Sequence, residues 1–283
     1  MLFQPSSSHL CHIFGGVAAA LSLMVSPTIQ AQSDNFDDGD DVGWTHFTPA
    51  ASTFSFPASS QGGLGYKIET INLAPAGRVA SILSGSSIPD FTVSVDLVDW
   101  SNPLRQEMGV MARVQPGPWA GLLPSGYSFI YVNRFSSGSG GTDQLRIYKE
   151  GPAIHTLLTG SGGQFAQGAL INPPPNPASG DYRLVFSGYG NLLSGQIIDL
   201  NTMLPMSFST GGLSETNTLW AVDGTYTTGQ AGVIAVAGAI VAPVVNPTFD
   251  NFSVVPEPSM LALTGLGLVA LAVRNVRRFK NIR

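Results

Sequence analysis

The sequence holds one cysteine, Cys11, and it precedes the first apolar stretch of the chain. Once a leader is removed no thiol would remain, which excludes disulfides, thiolate metal sites and cysteine nucleophiles from the exported chain. Charge is scarce as well, at 11% Asp, Glu, Lys and Arg. Five of the 13 basic residues sit at the extreme C-terminus, leaving eight against 18 Asp and Glu, so the body carries about −10. Such a body repels phosphate backbones and argues against nucleic acid as a partner, because that affinity comes from neutralising phosphates. No segment before Met260 repeats its apolar residues at helical spacing. Catalytic signatures are missing too. None of Glu69, Glu107, Glu150, Glu215 or Glu257 opens a Glu-x-Asp-x-x-Glu strand, which would aim paired carboxylates into one cleft. Asp96 and Asp99 are three apart and point to opposite faces of an extended strand. There is no Gly-x-Ser-x-Gly elbow, and His46 and His155 are isolated in sequence.

What the chain does have is a pair of specialised ends. Ile13 to Val25 (IFGGVAAALSLMV) is an apolar run of secretory-signal length, followed by Ser26-Pro27 as a breaker and Ala31 at the expected cleavage point. Residues 1–31 are read as a signal peptide, and the mature chain is expected to start near Gln32. The segment Met1 to His12 departs from the usual pattern, with only the amino terminus, His9 and His12 to supply positive charge. Cys11 lies before the apolar run rather than after it, which rules out a lipoprotein anchor. At the other end stand Val255, Pro256, Glu257 and Pro258, then the uncharged run Met260 to Val273, then Arg274, Arg277, Arg278, Lys280 and Arg283. Two prolines that fix φ and lack an amide donor predict a backbone exposed outside any sheet. The 14-residue run would span roughly 21 Å as a helix against about 30 Å of hydrocarbon, so Arg274 would snorkel or the bilayer thin. A buried core helix is the alternative.

The order of these three parts resembles the PEP-CTERM sorting signal of Gram-negative exported proteins, over residues 255–283. The resemblance implies recognition by an exosortase, cleavage near the motif, and delivery to the cell envelope, cell surface or extracellular matrix of a Gram-negative bacterium. It also implies attachment to the membrane through a C-terminal transmembrane helix, with Arg274, Arg277 and Arg278 on the cytoplasmic flank.

Between the ends the apolar residues alternate. Phe91, Val93, Val95 and Leu97 face one way and Thr92, Ser94 and Asp96 the other, the period of a half-buried strand. Met108, Val110, Ala112 and Val114 alternate in the same way with Gly109, Met111, Arg113 and Gln115. Further strands are expected over 66–73, 78–83, 127–134, 144–149, 182–187, 194–200, 232–241 and 248–254. Gly-rich 136–141, the stiff PPPNP at 173–177 and the apolar loop 116–126 read as connectors. Many short strands so joined predict an all-β chain of two stacked antiparallel sheets over residues 32–254.

The segments Asp34-Asn-Phe-Asp-Asp-Gly with Gly43-Trp44, GVMARV, GYSFIYVNR, LRIYKEG, DYRLVFSGYGNLLSGQIID, QAGVIAV and TFDNFSV together resemble the concanavalin A-like, laminin G-like jelly roll. An immunoglobulin-like sandwich is the competing architecture. The jelly-roll resemblance implies a closing Asp-Asn-Phe strand beside the opening one. It implies a role among lectins, adhesion modules, glycosidases and lyases. Without paired carboxylates, a non-catalytic glycan or matrix binder is expected, with extracellular polysaccharide as its partner. A purely structural surface or biofilm protein is the alternative, and a polysaccharide hydrolase or lyase a more distant one.

Two sites are expected on that basis. A glycan site would combine Trp119 of the apolar loop with Arg113, Tyr131 and Asn133, although alternating aromatics as a rule form core. No cofactor is required. The acidic opening, Asp34, Asp37, Asp38, Asp40 and Asp41, offers hard oxygen ligands to a structural calcium. The jelly-roll resemblance implies that such an ion would bring Asp38 or Asp40 near Asp250. A solvated acidic turn is the alternative.

Overall fold

The computed structural model describes residues 31–48, 52–70, 77–117, 124–133, 143–151, 155–159, 169–171, 173–209, 215–237 and 244–257. These belong to one unit, Ala31–Glu257. The expected leader, the apolar run after Pro258 and the basic tail lie outside the described residues, and so do Trp119 and Pro258.

The period-two stretches become strands, as steric alternation of side chains requires. In chain order they are β1 (Gln32–Asp34), β2 (Trp44–Phe47), β3 (Ser52–Ser55), β4 (Tyr66–Thr70), β5 (Arg78–Ile88) and β6 (Phe91–Asp99). Next come β7 (Gln106–Val114), β8 (Gly126–Asn133), β9 (Gln144–Glu150), β10 (Thr156–Leu157), β11 (Ala169–Ile171) and β12 (Tyr182–Tyr189). The last are β13 (Leu192–Asp199), β14 (Leu204–Pro205), β15 (Phe208–Ser209), β16 (Leu219–Val222), β17 (Gly229–Ala237) and β18 (Thr248–Pro256). Among the described residues there is no helix.

Two antiparallel sheets result, stacked as a jelly-roll sandwich. The first runs β14-β13-β12-β6-β18-β4-β3, with β16 on β13 and β1 on β18. The second runs β15-β11-β9-β8-β7-β17-β5-β2, with β10 on β9. The opening strand lies beside the closing one, Asp34 opposite Phe252 and Gln32 opposite Val254, as the jelly-roll resemblance implies. The chain crosses between sheets at most turns, so β4, β5, β6 and β7 alternate from one sheet to the other.

Aromatic rings fill the space between the sheets. Phe129 of β8 stacks on Phe186 of β12 at 6.0 Å, and Phe91 meets Phe186 edge-on at 5.3 Å. Gly195 of β13 makes room for this, since a Cβ there would come within 2.4 Å of the Phe129 ring. Trp100 sits edge-on to Tyr131 and Tyr182. At the other end Phe36 stacks on Tyr66 at 4.8 Å and Trp44 meets Phe252 at 4.9 Å. Offset and edge-on pairs of this kind add about 0.5–1.5 kcal/mol each beyond the area they bury.

The second sheet departs from the expected half-buried pattern. Every residue of β7 and β8 is buried. The reason is a further apolar layer on the face turned away from the first sheet, where Phe47, Ala80, Ile82, Met111, Ile130, Val132, Tyr148, Ile234 and Val236 pack together. Strands covered on both faces carry near-continuous apolar runs, and here glycine and methionine occupy positions that alternation alone assigns to solvent.

The start of the sorting motif also departs from expectation. Val255 and Pro256 extend β18, opposite Thr92 and Phe91. A proline at a strand terminus still offers its carbonyl, and the amide it lacks is one the ladder no longer needs.

Truncating the ring at the centre of the core, Phe129→Ala, is expected to lower unfolding free energy by about 3–5 kcal/mol. Urea denaturation of the mature protein measures it through a reduced midpoint at constant slope.

Candidate functional site

On the outward face of the first sheet, polar side chains line up across four strands. Ser253 pairs with Ser94 between β18 and β6, and Ser33 pairs with Ser253 between β1 and β18. In β12, Arg183 stands opposite Asp96 of β6. Together Ser33, Asp34, Asn35, Ser94, Arg183, Asn251, Phe252 and Ser253 line an open cleft of about 600 Å³. That volume is within the range of small-ligand sites.

A bulge in β18 shapes the cleft. The β18–β6 register shifts between Asp250 and Ser253, and Asn251 takes a φ of 48°, a left-handed conformation that asparagine tolerates better than most residues. The turn aims the Asn251 amide at Asp96 (3.2 Å) and at Gln61 (3.0 Å). Asp96 is fully buried, yet it is charge-paired. Arg183 donates to it through Nε (2.6 Å) and Nη2 (2.8 Å) in a bidentate fork. These hydrogen bonds hold Arg183 still more firmly protonated. The Arg183 side chain is 34% exposed and lines the cleft.

The loop Ser59 to Gly63 packs against the bulge, where Gln61 accepts from the Asn251 amide. Ser59 donates to Asp250, and Ser60 donates to Asp181 at 2.8 Å. Burial pushes both carboxyls up from the usual range, and the nearby Asp96 charge adds to the shift. The result is an array of carboxylate, guanidinium, amide and hydroxyl groups tied together by hydrogen bonds.

The residues singled out for glycan binding do not assemble there. Tyr131, Asn133 and Arg113 are buried, because alternation along β8 turns the first two inward. Tyr131 donates to Asp143, and Asn133 donates to the carbonyls of Asn102 and Leu104 at 3.2 Å. Arg113, at a register shift between β17 and β7, donates to the carbonyls of Pro89 (2.8 Å) and Tyr226 (3.0 Å) and faces Asp90 at 3.5 Å. These three side chains are structural, and their assignment to a glycan surface is corrected accordingly.

The acidic opening does meet the last strand, but through other residues than expected. Asp34 binds the Trp44 indole at 2.7 Å, and Asp37 accepts from the Leu64 amide at 2.9 Å and acts electrostatically on Asp250. Asp38 and Asp40 accept from backbone amides of their own turn, at Asp40 and Val42. Among the described residues no three acidic or histidine side chains converge as a metal ligand set.

Two further clusters escaped sequence reasoning because their members are far apart in the chain. Arg78 and Glu150 form an ion pair at 3.0 Å with 4% and 1% exposure, joined by Ser128. Burial there raises the Glu150 carboxyl. On the neighbouring residues of the same two strands, Tyr127 of β8 and Lys149 of β9, the partner is Asp223, and there too burial works against the carboxylate. Donors from Tyr127, Thr225 and Lys149 outweigh it and hold that carboxyl well below the usual range.

Residues 254–278 match the PEP-CTERM protein-sorting motif, which marks an exported, envelope-associated protein of Gram-negative bacteria. A comparison with curated proteins finds no match. Among solved structures the chain is similar to the carbohydrate binding module CBM66 from Bacillus subtilis, at 13% identity over 75% of this chain and 94% of that one, with a TM-score of 0.40. It is similar to a protein of unknown function with a galectin-like fold from Bacillus subtilis, at 13% identity over 80% and 94%, with a TM-score of 0.44. It is also similar to lectin II from Ulex europaeus, at 8% identity over 80% and 97%, with a TM-score of 0.47.

Arg183→Met strips the buried Asp96 of its fork and is expected to cost about 2–3 kcal/mol, below the figure for a fully buried pair because the arginine is partly solvated. Asp96→Leu in the same chain should restore most of that loss, a coupling that a double-mutant cycle measures. The pH dependence follows from the shifted carboxyls. Glu150, Asp181 and Asp250 have raised values, so their contribution is complete below about pH 4 and is lost as pH rises through the folded values. Asp223 has a lowered value, so its contribution holds above about pH 4 and is lost as pH falls through the folded value. The melting temperature should therefore be higher near pH 5 than near pH 7.5. Asp250→Asn should flatten that limb and raise the melting temperature near pH 7.5 by roughly 2–4 °C.

Proposed function

We propose that the chain is an exosortase-processed surface or matrix protein whose sandwich binds neutral polysaccharide without catalysis. The observation that carries this is the open cleft, with Ser33, Ser94 and Ser253 beside the Asp96, Arg183 and Asn251 network. Sugars are recognised by planar bidentate groups held in place before the ligand arrives, and a fork locked by a buried carboxylate loses little freedom on binding. Mixed acidic and basic lining selects a neutral ligand over an anionic one. Against catalysis at this site, Asp96 is committed to Arg183, and the neighbouring Asp250 and Asp181 accept from Ser59 and Ser60.

A structural role in the matrix has its own supporting observation. The outward face of the second sheet carries a layer of apolar side chains, among them Met111, Ile130, Val132 and Ile234. That role predicts self-association without any glycan preference.

A neutral-glycan array followed by calorimetry tests the binding role. Ser253→Trp should fill the cleft and weaken binding at least about tenfold, or roughly 1.4 kcal/mol, with the melting temperature little changed. A blank array for the wild type, or affinity untouched by the plug, would count decisively against it.

A further inference from the structure

The sorting motif and the folded domain overlap, and the overlap is held by specific contacts. The matched stretch begins at Val254, yet β18 continues to Pro256, with Val254 opposite Val93, Val255 opposite Thr92 and Pro256 opposite Phe91. One further residue is tied down. The Glu257 amide donates to the Asp90 carbonyl at 3.0 Å, and the Thr92 hydroxyl donates to the Glu257 carboxylate at 2.8 Å. The Pro89-Asp90 corner that receives the amide is itself braced from below. Buried Arg113 donates to the Pro89 carbonyl and faces the Asp90 carboxylate, whose Oδ1 also accepts from the Gly190 amide at 2.8 Å. Thus a fully buried cation, unexplained by any surface role, supports the point at which the last strand stops.

From this arrangement we infer that the domain clamps the first half of the motif, so that the processing cut falls after Glu257 and Val255 to Glu257 remain as the end of the mature last strand. Thr92 and Arg113 are positioning residues for that cut. A protease needs several residues in extended, unpaired form, and removing 255–257 from their ladder would fray the strand on which both β1 and β6 depend. The first residue beyond the clamp is Pro258, which has no amide to donate and cannot lengthen the ladder through one. Hydrolysis there adds water across one peptide bond, leaving a free carboxylate on Glu257 or on a short extension of it and a free amine on the departing segment.

The inference rests on the exosortase role proposed above, and two readouts keep their failures apart. The first is amide hydrogen exchange on the purified full chain. The Glu257 amide should exchange at least about tenfold slower than in an unstructured peptide, and Thr92→Val should speed it several-fold while leaving the amides of Val93 and Val95 protected. Exchange at the unstructured rate in the wild type, or no change in the variant, overturns the clamp. The second is the C-terminus of the mature form from a Gram-negative host carrying an exosortase, determined by mass spectrometry. The expected terminus is Glu257 or later, with additional shorter products in Thr92→Val. A wild-type terminus at Val254, Val255 or Pro256 overturns the inference even if the amide is protected. A chain that is never cut overturns the exosortase role instead, while exchange still judges the clamp.

Discussion

The structure depends on the last strand being zipped into the middle of a sheet. β18 pairs with β6 along one edge and with both β1 and β4 along the other, so the beginning, middle and end of the domain share one ladder. No disulfide closes this circle, since the sequence holds a single cysteine, Cys11, with no second to pair with. Backbone hydrogen bonds do so, each modest in net terms but costly to leave unmade in a buried strand. Loop closure over some two hundred residues adds little further cost because that entropy grows only logarithmically.

That placement also explains where polar chemistry survives. Inward positions of β18 and its neighbours are taken by rings and aliphatic side chains, and a buried carboxylate such as Asp96 persists on the outward face because Arg183 and Asn251 supply its hydrogen bonds. A bulge at Asn251 is the device that brings the amide round. The same strand therefore bears three things in sequence: packing through Phe249 and Phe252, a polar cleft through Asn251 and Ser253, and the start of a sorting signal through Val255 and Pro256.

Strand identity was legible wherever one face is solvated, as in β6, where Thr92 and Ser94 alternate with Phe91 and Val93. It was less so in β7, where Gly109 and Met111 lie under a second apolar layer and alternation loses its contrast. The aromatic stripe Tyr127, Phe129, Tyr131 was visible as a stripe, but a stripe does not say which side of a sheet it faces. Asp96 looked like a poor catalytic partner for Asp99 on spacing alone, and its real partner, Arg183, lies 87 residues away. Short strands such as β10, β11 and β14 carry too few residues to show any period.

By its own order of residues the chain determined its all-β character and the transit label at its C-terminus, because steric alternation, turn residues and an apolar run flanked by cations act locally, while the pairing of its opening and closing strands was implied only by the jelly-roll resemblance. Only the tertiary structure decided which carboxylates are paired, which arginine is buried, and where the domain ends and the signal begins. Those depend on residues brought together from distant strands, and a ladder of hydrogen bonds ends where its partner strand ends, at Asp90, rather than where the motif starts.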